Sequence, residues 1–238
     1  MPGLAAWLFR PQCAACSAPA ASLCGACAGS LLELGPACPR CAEPTGDREV
    51  ICGRCTAQPL PLERIVAPWR FGGQLAAAIR RLKFTGRAHV ARDLAPLWAP
   101  LIAAAADFAE PAGSRGGDAI VVPVPLHWRR RLARGYDQTW LLARHACEAA
   151  GLPPPVPALR RTRGAPPQST LSAAARRDNL RGAFDVRLPD MVTGRVVILV
   201  DDVVTTGATL AAAAHPLRAA GAACIIGVAL ARATSAPG

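Results

Sequence analysis

Eight of the ten cysteines fall before residue 56, as four Cys-x-x-Cys pairs: Cys13/Cys16, Cys24/Cys27, Cys38/Cys41 and Cys52/Cys55. Such a pair puts two thiolates on one tight turn, and two turns close a tetrahedron around zinc. Four pairs therefore predict two zinc ions, both structural, because cysteine fills every ligand position and leaves none for water. Residues 1–60 hold few large apolar side chains, chiefly Leu4, Trp7, Leu8, Phe9, Leu31, Leu32, Leu34 and Ile51. A module so poor in core needs a staple. A disulfide framework would need an oxidising compartment, and no export signal is visible at Met1 to Arg10. Sequential pairing of the motifs has the shorter loops; interleaved pairing stays open. Cys147 and Cys224 lie alone in apolar segments and are expected to be inert core thiols.

From residue 61 the pattern changes to strands alternating with helices. Ile65 to Phe71 reads as a strand, and Gln74 to Phe84 as a helix with Leu75, Ile79 and Leu82 on one face. His89 to Phe108 reads as a second helix, broken near Pro96 and Pro100. Residues 111–117 are a loop by composition. Ala119 to Val122 and Val196 to Val200 are short buried strands. Tyr136 to Ala150, Arg176 to Arg181 and Ala208 to Ala220 are helical, and Ala222 to Leu230 is the last strand. Continuous apolar strands between helices predict an α/β fold with a parallel sheet covered on both faces. At 52% apolar residues the chain has enough material for a real core. The expected organisation is a double zinc ribbon over 1–60, an α/β domain over 61–232 and a disordered tail over 233–238. No apolar run is long enough to span a bilayer, so a cytoplasmic protein without membrane insertion is expected.

The segment that carries chemistry follows the strand Val196 to Val200. It runs Asp201-Asp202-Val203-Val204-Thr205-Thr206-Gly207-Ala208-Thr209. Two carboxylates stand at the C-terminal end of a central strand, where open α/β sheets place their ligands. A turn of small and hydroxylated residues then opens a helix, whose first amides make an anion cradle. Gly207 lets the backbone approach closely, and three threonine hydroxyls can donate to phosphate. Acceptors for sugar hydroxyls beside a phosphate nest describe a recogniser of a phosphorylated sugar. Five fixed positions of this kind arise by chance in a chain this long with a probability on the order of 10⁻⁴.

The segment resembles the phosphoribosyl pyrophosphate (PRPP) signature of type I phosphoribosyltransferases. The resemblance implies that Asp201 and Asp202 take the ribose and that Thr205, Thr206, Gly207, Ala208 and Thr209 take its 5′-phosphate, with Mg²⁺ accompanying the pyrophosphate. Pro123 to Arg129 and Arg134 to Gln138 are similar to the PVPLHxxR…RGYNQ block of the ComF/GntX competence-type family. Leu82 to Gly86 resembles its LKFxG block, and Arg161 to Phe184 its QxxLxxxxRxxNxxxAF block. Asp137 stands where that family usually has Asn. The resemblance implies a pyrophosphate loop at Val124, Pro125 and Leu126, with Arg129 and Arg134 neutralising the departing pyrophosphate. It also implies a hood loop bearing Arg161, Arg163 and Gln168. The resemblance further implies a positively charged catalytic residue on that loop, commonly a lysine; Lys83, the one lysine here, lies elsewhere in the sequence, so Arg160, Arg161 or Arg163 would have to substitute.

The net charge of +11 belongs entirely to residues beyond 60, since four basic and four acidic residues balance before that point. Arginine suits phosphate oxygens. Three functions fit: a transferase of phosphoribose to an unknown acceptor, a PRPP sensor without turnover, or, as the resemblance to the ComF/GntX family implies, a DNA-uptake factor. The last would meet single-stranded DNA or a helicase, with Trp128, Tyr136 and Trp140 offered for stacking.

Overall fold

The structure, a computed structural model, describes residues 11–20, 22–109, 119–162 and 182–234. The expected loop at 111–117, the helix at 176–181, Arg163 and Gln168 lie outside the described residues, as do Leu4, Trp7, Leu8 and Phe9.

Two short helices, α1 (Gly25–Gly29) and α2 (Gly53–Ala57), belong to the cysteine-rich region. Then follow β1 (Arg64–Val66), β2 (Trp69–Arg70), α3 (Gly73–Phe84), α4 (Val90–Ala109), β3 (Ala119–Pro123), α5 (Trp128–Arg134) and α6 (Gln138–Ala150). The chain ends with β4 (Leu159–Arg161), β5 (Phe184–Val186), β6 (Val196–Val204), α7 (Ala208–Ala219) and β7 (Cys224–Arg232). The main sheet has the order β1-β7-β6-β3, with β2 continuing the edge along β7, and every pair is parallel.

Its central strand is β6, where alternation divides the core. Ile198 and Val200 face a layer that includes Leu82, Leu94, Trp98 and Leu142. Val197 and Leu199 face Leu210, Ala213, Ala214 and Leu217 of α7. The expected parallel sheet with two covered faces is what the chain forms.

Three local expectations need correction. The strand at 65–71 is split, because Pro68 has no N–H for the ladder. The long helix is not broken at Pro96 or Pro100: α4 runs through both. Each proline removes one intrahelical bond, but Leu94, Trp98 and Ile102 are fully buried, and that packing outweighs the loss. The strand at 196–200 is nine residues long and carries Asp201 and Asp202 within it.

The cysteine-rich region docks on this sheet. Leu34 N–H donates to Pro68 O at 2.8 Å, Arg70 N–H to Leu32 O at 2.7 Å and Ile65 N–H to Arg40 O at 3.0 Å. Buried Arg232, at the end of β7, donates to Cys41 O and pairs with Glu43. Arg81 of α3 donates to the carbonyls of Cys13 and Ala14 at 3.4 and 3.3 Å.

Candidate functional site

The eight N-terminal cysteines form two clusters, Cys13/Cys16/Cys24/Cys27 and Cys38/Cys41/Cys52/Cys55, with the sulfurs of each within 4.8 Å of one another. Sequential pairing is thus the arrangement adopted. Cys16 and Cys24 sulfurs lie 3.8 Å apart, far beyond a bonded ~2.05 Å. The clusters repeat each other in detail. Cys13 N–H donates to Ala18 O and Cys38 N–H to Glu43 O, both at 2.7 Å. Ser17 and Ala42 take the matching left-handed turn, with φ of 66° and 57°.

In each cluster the first sulfur accepts amide protons. Cys13 Sγ accepts from Ala15 and Cys24 at 3.4 and 3.3 Å, and Cys38 Sγ from Cys52 at 3.4 Å. Burial works against the Cys13 thiolate, but donation from the Cys16, Cys24 and Ala15 amides outweighs it and brings the thiol down to about 6. The same contest brings Cys38 down to about 7. Four sulfurs at this spacing, with amides stabilising thiolate, fit a tetrahedral zinc site. Cys147 is buried in α6, where burial pushes its thiol up to about 11. Burial, then the Glu63 carboxylate, pushes half-buried Cys224 up to about 11.

A second, larger site lies at the C-terminal ends of β3 and β6. A cleft of about 300 Å³ is lined by Asp201, Asp202, Thr205 and Thr209 from β6 and the turn after it. Opposite stand Val124, Pro125 and Leu126 after β3, with Arg130, Arg134, Gln138, Lys83 and Arg161 around them. Sequence neighbours on a strand point to opposite faces, and this separates the acidic pair. Asp202, 3% exposed, points into the face shared with α3 and α6. Its Oδ1 accepts from Lys83 Nζ at 2.8 Å and its Oδ2 from Gln138 Nε2 at 3.3 Å. Asp201 is left to the cleft, where its Oδ1 accepts from the Asp202 amide at 2.9 Å. Burial and then the Asp202 charge push Asp201 up to about 7, against the pull of Lys83 and Arg161. A carboxyl raised in this way supports the folded state below its ordinary range and loses that support as pH rises through about 7.

The turn after β6 is built around Gly207. It has φ 79°, caps α7, and an added Cβ would sit 3.1 Å from Ile65 Cδ1. Thr206 is turned inward as a local cap, its hydroxyl accepting from Ala208 N–H at 3.3 Å. Thr205 and Thr209 are the two hydroxyls that line the cleft.

The segment after β3 is held by Asp137. Its Oδ2 accepts from Leu126 N–H at 2.9 Å, and its Oδ1 caps α6 through Thr139 and Trp140 at 3.1 and 3.2 Å. All three bonds use a carboxylate as acceptor only, so the Asp found in place of Asn suits its setting. The arginines expected beside this loop belong to α5, a helix the sequence did not announce because none of its residues is buried. His127 caps it, its Nδ1 accepting from Arg129 N–H at 3.4 Å. Helical spacing then turns Arg129 over the Trp128 ring, 5.2 Å from its centroid, while Arg130 lines the cleft. Arg134 also lines it, donating to Gln138 Oε1 at 2.8 Å. Arg161 lines the cleft from β4, above Phe184.

Sequence reasoning missed Lys83, Gln138 and Arg130. Lys83 had a signal: the other 26 of the 27 basic residues are arginine, so one retained lysine marks a place where a compact ammonium is needed. Tyr136 holds the neighbouring chain in place by donating from its hydroxyl to Leu82 O. Of the three aromatics considered for stacking, Tyr136 packs on the core and Trp140 is half-buried. Trp128 is 57% exposed.

Comparison with known proteins agrees with this architecture. Residues 151–237 match the phosphoribosyl transferase domain family, and residues 4–56 the double zinc ribbon domain family. The chain is 35% identical over 204 residues to the DNA utilization protein YhgH of Salmonella typhi, covering 85% of this chain and 87% of that protein. It is 35% identical over 203 residues to YhgH of Escherichia coli K12, with the same coverage. With Competence protein F of Haemophilus influenzae it shares 32% identity over 189 residues, 79% of this chain and 80% of that protein.

Proposed function

We propose, for a chain that belongs to the ComF family of double-zinc-ribbon, phosphoribosyltransferase-domain proteins, that the cleft binds PRPP or a related ribose phosphate in the service of DNA utilization. One observation carries this reading: Asp201, Thr205 and Thr209 share a single cleft with Val124 to Leu126, Arg130 and Arg161. Asp201 is the acceptor for the ribose diol. Thr205, Thr209 and the first amides of α7 hold the 5′-phosphate, with Thr206, Gly207 and Ala208 shaping the turn that presents them. The guanidinium groups of Arg130, Arg134 and Arg161 face the pyrophosphate, while Val124, Pro125 and Leu126 wall the loop, with the N–H groups of Val124 and Leu126 given to Val200 O and Asp137 Oδ2. Arg129 serves the outer surface. Arg163 and Gln168 remain hood-loop candidates by resemblance.

Mg²⁺ fits this donor set, since it favours one carboxylate together with phosphate oxygens. Asp201 would hold it beside the ligand's diphosphate, where the ion would screen charge on the leaving group. Each four-cysteine cluster holds one zinc ion in a purely structural role. Zinc thiolates need reduced cysteines, which accords with a cytoplasmic setting. Among the described residues no helix is long and apolar enough to cross a membrane.

In a transferase the protein mainly positions the ribose and screens the departing charge. Lys83 is the cation placed for that role from the end of α3, instead of from the hood loop. Replacing Lys83 by Met is expected to weaken PRPP about tenfold or more, and ribose 5-phosphate far less, because only PRPP carries the pyrophosphate the ammonium would face. Calorimetry on both ligands checks this; equal losses would make Lys83 a scaffold residue.

Pyrophosphate release across a panel of bases and amines tests turnover. Release marks a transferase, whereas heat-stabilisation by PRPP with no release marks a sensor. One observation favours an additional role with single-stranded DNA or a helicase: α5 exposes Trp128 beside Arg129, Arg130 and Arg131. Salt-sensitive DNA binding that is lost when those three arginines are neutralised would establish it.

A further inference from the structure

We propose that a second cavity, opening beside the phosphoribosyl cleft, binds a planar aromatic anion. It has a volume of about 540 Å³ and lies between the end of α3 and α5. Its walls combine two chemistries. Phe84 offers an apolar ring that is 74% exposed, with the Arg134 guanidinium 5.3 Å from its centroid. Tyr136 adds a second aromatic wall, and because its hydroxyl is committed to Leu82 O it contributes ring and no free donor. Arg130 and Arg134 supply positive charge beside Lys83, which is already paired with Asp202, and no acidic side chain is among the described lining residues. Gly86 turns the chain away at φ +68°, and a Cβ built there meets nothing within 4 Å, so the floor is open.

These features select against simpler occupants. An inorganic anion would satisfy the cations and leave the Phe84 ring in water. A neutral ring would cover Phe84 and leave the guanidinium groups uncompensated. A flat ring bearing a carboxylate meets both, since aromatic rings stack on Phe84 and arginine forks match carboxylate oxygens. Lys83, Arg130 and Arg134 line both cavities, so an occupant of the second lies against a ligand in the first. Calling that occupant the acceptor rests on the phosphoribosyl reading of the first cleft; its binding does not.

The test is calorimetry on the full zinc-loaded chain with benzoate, cyclohexanecarboxylate and benzyl alcohol, with and without PRPP. Benzoate is expected to bind about tenfold more tightly than either control, because only it uses both ring and charge. Phe84→Ala is expected to remove that preference while leaving ribose 5-phosphate affinity unchanged, as Phe84 does not line the first cleft and touches only Arg134 of the pyrophosphate side. Phe84→Leu keeps the apolar bulk and is also expected to lose the preference. Equal affinities for the two carboxylates, or benzoate binding that survives both Phe84 variants, would overturn the proposal. Benzoate binding without any PRPP binding would leave this site standing and sink the phosphoribosyl reading instead.

Discussion

Replacing Asp201 and Asp202 together by Asn should reduce PRPP affinity more than a hundredfold while the sheet stays folded. Asp201 is the acidic acceptor left to the cleft, and above pH 7, where it is ionised, such an acceptor contributes about 1.5–3 kcal/mol per hydrogen bond. Loss of two such bonds to a ribose diol already exceeds a factor of a hundred. Asp202 acts through a different route, because both its oxygens are taken by Lys83 and Gln138. Its amide replacement keeps a hydrogen-bonding shape but releases the ammonium. The single variants, titrated without Mg²⁺, should therefore separate: Asp201→Asn losing affinity for ribose 5-phosphate and PRPP alike, Asp202→Asn losing it chiefly for PRPP. Folding should survive, because Val196 to Val200 and Val204 supply the buried apolar side chains of β6 and burial already opposes ionisation of Asp201. Unchanged PRPP affinity in calorimetry, with normal circular dichroism, would refute the assignment.

Removing zinc should have the second large effect, and it should reach beyond the ribbons. Metal analysis is expected to find about two zinc ions per chain. The clusters are built into the rest of the molecule: Cys13, Ala14, Ala15 and Cys27 pack in the same core as Leu75 and Ile79, and Leu34 packs with Ile65. Arg232 is anchored on Cys41 and Glu43, and its strand position pairs with Val204, the residue before Thr205. Stripping the metal should loosen the β1–β7 edge and the phosphate turn together. A loss of several kcal/mol corresponds to a fall in melting temperature on the order of 10 °C for a chain of this size. Cys38→Ser, beside the Arg232 anchor, should slow PRPP binding's heat signal more than Cys13→Ser does. A chelated protein with unchanged melting and unchanged amide exchange in β7 would show the ribbons to be independent of the sheet.

What could be read from the sequence was whatever is local. The cysteine spacing, the apolar run at 196–200 and the glycine opening α7 each declare themselves within a few residues. Asp201 and Asp202 read as a loop because carboxylates are poor strand formers; β6 keeps them because its partner β7 continues to Arg232 alongside. The helix through Pro96 and Pro100 exists because burial of Trp98 overrides a local penalty. Three-residue strands such as β4 and β5 have no period to detect. The ion pair between Lys83 and Asp202 spans 119 positions, so only the packing of α3 on the sheet could join them. Which arginine of this segment lines the cleft was not legible for the same reason: helical phase in α5, not composition, brings Arg130 to it while Arg129 lies over Trp128.

The most direct measurement is a calorimetric titration of the zinc-loaded chain with PRPP, run with and without Mg²⁺. Saturable binding at one site per chain, stronger with Mg²⁺ and matched by a rise in melting temperature, is the predicted result. Millimolar PRPP that yields neither heat nor thermal stabilisation in either condition would contradict it.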